Sequence, residues 1–256
     1  MNKSEVKKYW NKRSCGTEYA IGKKYSREYF DSMEKHRYEV EPEILSFAEF
    51  GKYKGKKILE VGVGAGTDFL QWVRLGAKAY GIDLTEEGIE NVKKRLKIYK
   101  LKAKELKKAD CENIPYKDNS FDLVYSWGVI HHTPDTEKAL SEIIRVCKKG
   151  GECKIMVYHR RSLVALWQWL KRPWKGIKWC IANFMESPGT KAYTVDEMKN
   201  MLSKYKIKNL KIDTTLTVYD TLELRNDVFS ILGKVMSFVL GKNKAGWFMT
   251  ISFIKI

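Results

Sequence analysis

A chain of 256 residues with 44% hydrophobic content can bury one elaborated domain, or a domain with a cap. Five cysteines without a C-x-x-C pair or other paired spacing argue against a zinc cluster or a disulfide framework and suit a reducing cytoplasm. The net charge of +17 is spread from Lys3 to Lys255, which reads first as a solvated surface, next as an attraction to anionic membrane, and last as nucleic-acid binding, the tails carrying no recognisable RNA-binding module. Met1 to Arg13 is polar and lysine-rich, so no secretory signal is expected, and no apolar run is long enough for a membrane span.

In chain order, residues 1–52 read as an N-terminal helical cap. Glu5 to Arg13 and Ser26 to Tyr38 form two helices around Ser14-Cys15-Gly16-Thr17, and a third starts near Pro42 and ends at Gly51. Ile58 to Val61 is a short strand that runs into the glycines of Glu60-Val61-Gly62-Val63-Gly64-Ala65-Gly66, and Thr67 to Leu75 is the helix beyond them. Strand, glycine turn and helix open a nucleotide-binding βαβ unit, because glycine lets the backbone approach a ligand and the first helical amides face negative charge. Ala79 to Asp83 is the second strand; it ends in an acid 21 residues after Gly62, where a carboxylate accepts from ribose hydroxyls. Thr85 caps a helix from Glu86 to Leu96.

Lys104 to Ala109 and Phe121 to Ser126 are the third and fourth strands, and Thr133-Pro134 starts a helix that Gly150-Gly151 stops. Glu152 to Tyr158 is the fifth strand. An insertion at about 159–192 interrupts the α/β rhythm before the capping box Thr194-Val195-Asp196-Glu197 restarts it with a helix through Lys204. Ile207 to Thr215 and Gly246 to Ile254 are the last two strands, with an apolar helix at about 227–240 between them.

The glycine loop, Asp83, the run Ala109-Asp110-Cys111-Glu112, and Ser126-Trp127-Gly128-Val129-Ile130-His131-His132 together resemble a class I S-adenosylmethionine-dependent methyltransferase, within the group that includes the quinone and sterol C-methyltransferases. The specific part covers residues 56–157. The resemblance implies an α/β Rossmann-like seven-stranded sheet, mostly parallel with an antiparallel last strand and helices on both faces. It gives residues 53–256 as the methyltransferase domain, and the cap as a closure over cofactor and acceptor, with Tyr9, Arg13 and Tyr38 as candidate lining.

The cofactor implied is S-adenosyl-L-methionine, held by Glu60, Gly62, Gly64, Gly66 and Thr67 around its methionine part. Asp83 takes the ribose, Leu84 the adenine face, Asp110 the adenine amino group and the Cys111 backbone the ring, with Trp127 near the methyl group and the acceptor. No metal is expected, since methyl transfer is an in-line displacement dominated by positioning. Where the acceptor must lose a proton, His131, His132 and His159 are the candidate bases.

The acceptor implied is a small molecule or lipid-like compound. RNA or protein methylation and a non-catalytic cofactor-binding module are the rival readings, and the glycine spacing speaks against a nicotinamide oxidoreductase. Residues 160–180 hold Trp167, Trp169, Trp174 and Trp179 with six basic residues and no acid. That pattern suits either a lid over a pocket or peripheral contact of a cytoplasmic protein with anionic membrane.

Overall fold

The computed structural model describes residues 2–221, Val235, Phe238 and 245–256; apart from Val235 and Phe238, the helix expected at 227–240 lies outside the described residues. Helices α1 (Lys3–Lys12), α2 (Arg27–Val40) and α3 (Glu43–Ala48) precede the sheet. The sheet consists of β1 (Lys57–Val61), β2 (Lys78–Asp83), β3 (Glu105–Lys108), β4 (Phe121–Trp127), β5 (Cys147–Tyr158), β6 (Ile207–Thr215) and β7 (Phe248–Lys255), in the order β3-β2-β1-β4-β5-β7-β6. β7 runs antiparallel to both β5 and β6, and the other pairings are parallel, as expected.

The central strands β1 and β4 are buried almost throughout, as strands covered on both faces must be. On one face α4 (Thr67–Arg74) and α5 (Glu86–Ile98) lay Phe69, Trp72, Val92 and Leu96 against Ile58, Leu123 and Tyr125. On the other, α6 (Thr136–Val146) and α9 (Val195–Leu202) set Leu140, Ile143, Met198 and Leu202 against Leu59, Val124 and Ile155. Strand order reverses between β1 and β4, which puts the ligand crevice beyond their carboxyl ends.

The N-terminal helices are tied to this crevice by charge. Lys3 of α1 reaches Asp110 and Glu112, both at 2.5 Å. Lys154 of β5 points at the end of α3, donating to the Phe47 carbonyl at 2.7 Å and the Glu49 carboxylate at 2.5 Å. The insertion contains α7 (Leu163–Leu170) and α8 (Ile177–Phe184), which pack on each other.

Several boundaries differ from the sequence reading, each for a local reason. α3 ends at Glu49, whose left-handed backbone (φ 53°) lets its N–H close on Leu45; Gly51 falls in the following single 3₁₀ turn. α6 is capped by Asp135, whose carboxylate accepts from the Lys138 amide, while the Thr133 hydroxyl turns to Glu112. Gly150-Gly151 does not stop that helix: it ends at Val146, and β5 begins at Cys147 and runs through the glycines. The last strand begins at Phe248 rather than Gly246, and α9 ends at Leu202, short of Lys204.

Candidate active site

Beyond the carboxyl ends of β1, β2 and β4 lies a cleft of about 1320 Å³, open solvent at its mouth included. Its floor is the glycine loop. Gly62 and Val63 both donate to the Ile82 carbonyl, at 2.8 and 3.2 Å, so the loop is hung from the end of β2. Gly62 sits at φ 81°, and a Cβ there would lie 2.2 Å from the Val129 side chain. Gly64, at φ 49°, has open space where its Cβ would be. Gly62 therefore serves the close approach of two protein segments, whereas Gly64 faces the open cleft.

Asp83 closes one side. Its carboxylate accepts from the Gly64 amide at 2.9 Å, the Thr85 amide at 2.9 Å and the Thr85 hydroxyl at 2.6 Å. Burial pushes this carboxyl up and those three donors pull it down, with burial winning. Glu60, beneath the loop, takes the Trp72 indole N–H at 2.8 Å; burial and the nearby Asp68 charge hold it well above the usual carboxylate range. Thr67 accepts at 2.6 Å from the fully buried Arg95, which also donates to the Phe30 carbonyl of α2 at 2.6 Å.

At the far end Leu84, Ala109, Asp110 and Cys111 line the cleft. Asp110 is bound by Lys3 and by the Glu112 amide at 2.9 Å. Burial pushes the Cys111 thiol up to about 12, so it is a filler rather than a nucleophile.

The opposite wall comes from the cap, β4, β5 and the insertion. Arg37 grips the buried Asp68 with two hydrogen bonds of 3.0 and 2.9 Å, and the Tyr38 and Tyr125 hydroxyls donate to the same carboxylate at 3.2 and 3.0 Å. Arg37 also lies 3.4 Å from Glu41, which accepts from the Trp127 indole at 3.2 Å. Tyr158 donates to Glu186 at 2.7 Å.

All ten residues expected to hold the cofactor line this one cleft. The three histidines separate. His132 lines it, with Nδ1 2.8 Å from the Ser187 hydroxyl and Nε2 3.3 Å from Glu186. His131 is not among the lining residues; it is fully buried, neither ring nitrogen has a hydrogen-bond partner, and burial holds it well below the usual imidazole range. His159 also lies off the cleft, its Nδ1 3.1 Å from the Gly246 carbonyl. Tyr38 reaches Asp68 but neither it nor Tyr9 and Arg13 line the cleft; among the cap residues that do are Val6, Trp10, Ser14, Arg37 and Glu41. Sequence reasoning passed over Arg37, Glu41, Tyr158 and Glu186. Only Glu186 had a signal, as the one acid between residues 160 and 192.

Residues 59–155 match the family model described as "Methyltransferase domain". Over 116 residues the chain is 33% identical to the phthiotriol/phenolphthiotriol dimycocerosates methyltransferase of Mycobacterium tuberculosis, covering 44% of this chain and 42% of that protein. It is 29% identical over 137 residues to the phosphatidylethanolamine N-methyltransferase of Cereibacter sphaeroides, covering 53% of this chain and 63% of that one. The chain thus matches less than two thirds of the length of these curated relatives. The solved geranyl diphosphate C-methyltransferase of Streptomyces coelicolor superimposes with a TM-score of 0.67 at 15% identity, over 99% of this chain and 97% of that one, a likeness of fold. Sheet order and glycine loop, with the methyltransferase domain matched over residues 59–155, resemble those of class I S-adenosylmethionine-dependent methyltransferases. The curated relatives reported are methyltransferases, named for lipid substrates, and they do not single out the quinone and sterol group that the sequence suggested.

Proposed function

We propose that this chain transfers a methyl group from S-adenosyl-L-methionine to a small-molecule or lipid-like acceptor. The observation that carries the reading is the cradle at Gly64: an open backbone position between the buried Asp83 carboxylate and the first turn of α4. When bound, S-adenosyl-L-methionine supplies an electrophilic methyl group on a sulfonium. Asp83 offers its carboxylate to ribose hydroxyls, and Asp110 and Cys111 frame the adenine end. Trp127 and the cap exclude water from the reacting end, which favours a step in which charge disappears.

Calorimetry with S-adenosylhomocysteine tests this. Binding should be clear, with no comparable response to NADH. Asp83→Ala should weaken it by about 1–3 kcal/mol through lost charge-assisted hydrogen bonds. Tight NADH binding without a response to S-adenosylhomocysteine would overturn the reading.

The curated relatives' names point towards lipid acceptors, and the insertion supports peripheral contact with an anionic membrane from the cytoplasmic side. Trp174 is 75% exposed, and Leu170, Trp179 and Phe184 are exposed around it. Lys171, Arg172, Lys175 and Lys178 lie in the same stretch, the Arg172 guanidinium 3.8 Å from the Phe184 ring centre. Indole and aliphatic groups beside lysine and arginine suit a headgroup interface. Among the described residues no helix is long and apolar enough to cross a membrane. The protein should co-sediment with anionic vesicles, less so in high salt and less so as Trp174→Ala/Trp179→Ala. Protein that stays in the supernatant at low salt would remove the membrane claim alone.

A further inference from the structure

The charge of the cleft runs against that of the chain. Among the described residues two cations, Lys3 and Arg37, line it, against six carboxyl groups, Glu41, Glu60, Asp68, Asp83, Asp110 and Glu186, of which burial holds Glu60 towards its neutral form. In a molecule of net charge +17 this is a local acidic field, and a field of one sign in a cleft concentrates ligands of the other. Asp83 and Asp110 face the cofactor end and Asp68 is spent on Arg37, which leaves Glu186 and, 3.4 Å from the same Arg37, Glu41 on the acceptor wall.

Those two acids are joined by rings. The Trp127 indole donates to Glu41 at 3.2 Å. Its ring meets Phe248 edge to face at 5.6 Å, and Phe248 stacks with Tyr158 at 6.1 Å. The Tyr158 hydroxyl donates to Glu186 at 2.7 Å. The wall is therefore an arc of three aromatic rings with a carboxylate at each end, all lining one cavity. The Tyr158 ring is stacked on Trp247 at 4.2 Å and meets His131 at 4.0 Å, so it contributes through its hydroxyl, and the rings of Trp127 and Phe248 are the ones placed to attract an ammonium group.

A second observation lies beside Glu186. Thr190 donates its hydroxyl proton to the Ser187 carbonyl at 2.6 Å, and the His132 Nδ1 lies 3.1 Å from the Thr190 oxygen and 2.8 Å from the Ser187 hydroxyl. Nε2 is buried and faces Glu186 Oε2 at 3.3 Å. Imidazole and carboxylate therefore stand as a close pair on the acceptor wall.

We infer, building on the methyltransferase reading, that the acceptor is an amine, bound as its ammonium ion between Glu41 and Glu186 against Trp127, Phe248 and Tyr158. The ammonium gives one proton to the Glu186 carboxylate, which is 36% exposed and releases it to solvent. The freed nitrogen lone pair forms the new N–CH₃ bond as the methyl–sulfur bond breaks, its electron pair going to sulfur. The product is an N-methylated ammonium and a neutral thioether, so charge and atoms balance without an oxidant or metal. Glu41 holds the cation, and His132 acts through Glu186 as a positioning residue.

The test uses choline and its uncharged carbon isostere 3,3-dimethylbutan-1-ol as probes of the protein loaded with S-adenosylhomocysteine. Choline should bind at least tenfold more tightly than the alcohol. Glu186→Gln, at a half-exposed position, should lower choline affinity about tenfold and leave the alcohol and S-adenosylhomocysteine unchanged. An alcohol that binds as well as choline, or no choline binding, overturns the inference. In parallel, labelled methyl donor is offered with a panel of primary amines, phenols and prenyl alkenes. Label on amines alone supports the inference; label on phenols or alkenes with none on amines overturns it while S-adenosylhomocysteine binding keeps the methyltransferase reading. Failure to bind S-adenosylhomocysteine overturns that reading instead.

Discussion

Arg37→Met removes the one cation among the described residues that pairs with the buried Asp68 and should cost about 3 kcal/mol of folding stability. Breaking a buried pair by deleting one member costs about 3–5 kcal/mol, because the remaining charge stays desolvated. Two features place this case at the low end of that range. The Arg37 side chain keeps 23% of its exposure, so solvent screens part of the attraction, and the Tyr38 and Tyr125 hydroxyls go on donating to Asp68. Burial works against the Arg37 charge, yet Asp68 and Glu41 outweigh it and hold the guanidinium above its ordinary range, so it is charged at every accessible pH. Urea unfolding followed by tryptophan fluorescence measures the loss, and a thermal melt should show it as roughly 6–12 °C. Asp68→Asn in the same background should restore about 1–2 kcal/mol, since the stranded charge is gone. A single-variant loss below about 1 kcal/mol, or a double variant no more stable than Arg37→Met, would refute the view that α2 is fastened to α4 by this pair.

Three further outcomes are expected. His131 is held well below its unfolded value of 6.5, so the unfolded chain binds a proton that the folded chain refuses; stability at this site is flat above about pH 6.5 and falls by up to about 1.4 kcal/mol per pH unit below it. His131→Phe, which keeps a ring against Tyr158, should gain on the wild type by that slope when urea midpoints are compared from pH 7 down to 5. Gly62→Ala should lose about 3 kcal/mol by the same assay, combining a left-handed backbone with a 2.2 Å approach to Val129, and an Ala variant within about 0.5 kcal/mol would show that the loop gives way freely. Lys3→Ala should change stability by less than about 1 kcal/mol, because its pairs with Asp110 and Glu112 are at the surface, and it should not weaken S-adenosylhomocysteine binding by calorimetry, because it uncovers Asp110.

The cofactor half of the cleft could be read from sequence because local chemistry writes it locally. A strand, three glycines, a helix start and an acid at the next strand end are contiguous, and the turn fixes their relation before any tertiary contact forms. Thr85 and the Thr194 box cap their helices as expected, through bonds spanning three residues. The acceptor half was not legible for the opposite reason. Trp127 was expected there from its place after β4, but Glu41, Phe248 and Glu186 join it only because β7 inserts between β5 and β6 and the insertion folds back over the end of β5. The histidines show the limit clearly. Adjacent in sequence, His131 and His132 occupy a single 3₁₀ turn that sends one ring into the core and the other to the cleft, a distinction of side-chain direction that residue type cannot carry.

Net charge misleads for a related reason. A value of +17 sums over the whole surface, whereas a ligand senses the few groups within a Debye length of its site. The lysines are spent elsewhere: Lys208 and Lys211 stand along β6, the sheet's edge, where charge blunts strand-to-strand pairing, and Lys171, Lys175 and Lys178 share a stretch with the exposed tryptophans. In the readings proposed above, the two charge patterns have separate tasks, a basic exterior that draws the molecule to anionic surfaces and an acidic interior that selects cations from them. Salt separates them experimentally. Screening should weaken vesicle binding steeply, since those charges are exposed, and should hardly change S-adenosylhomocysteine affinity, whose partners Asp83 and Glu60 are buried. Equal salt slopes for the two would mean that one field governs both.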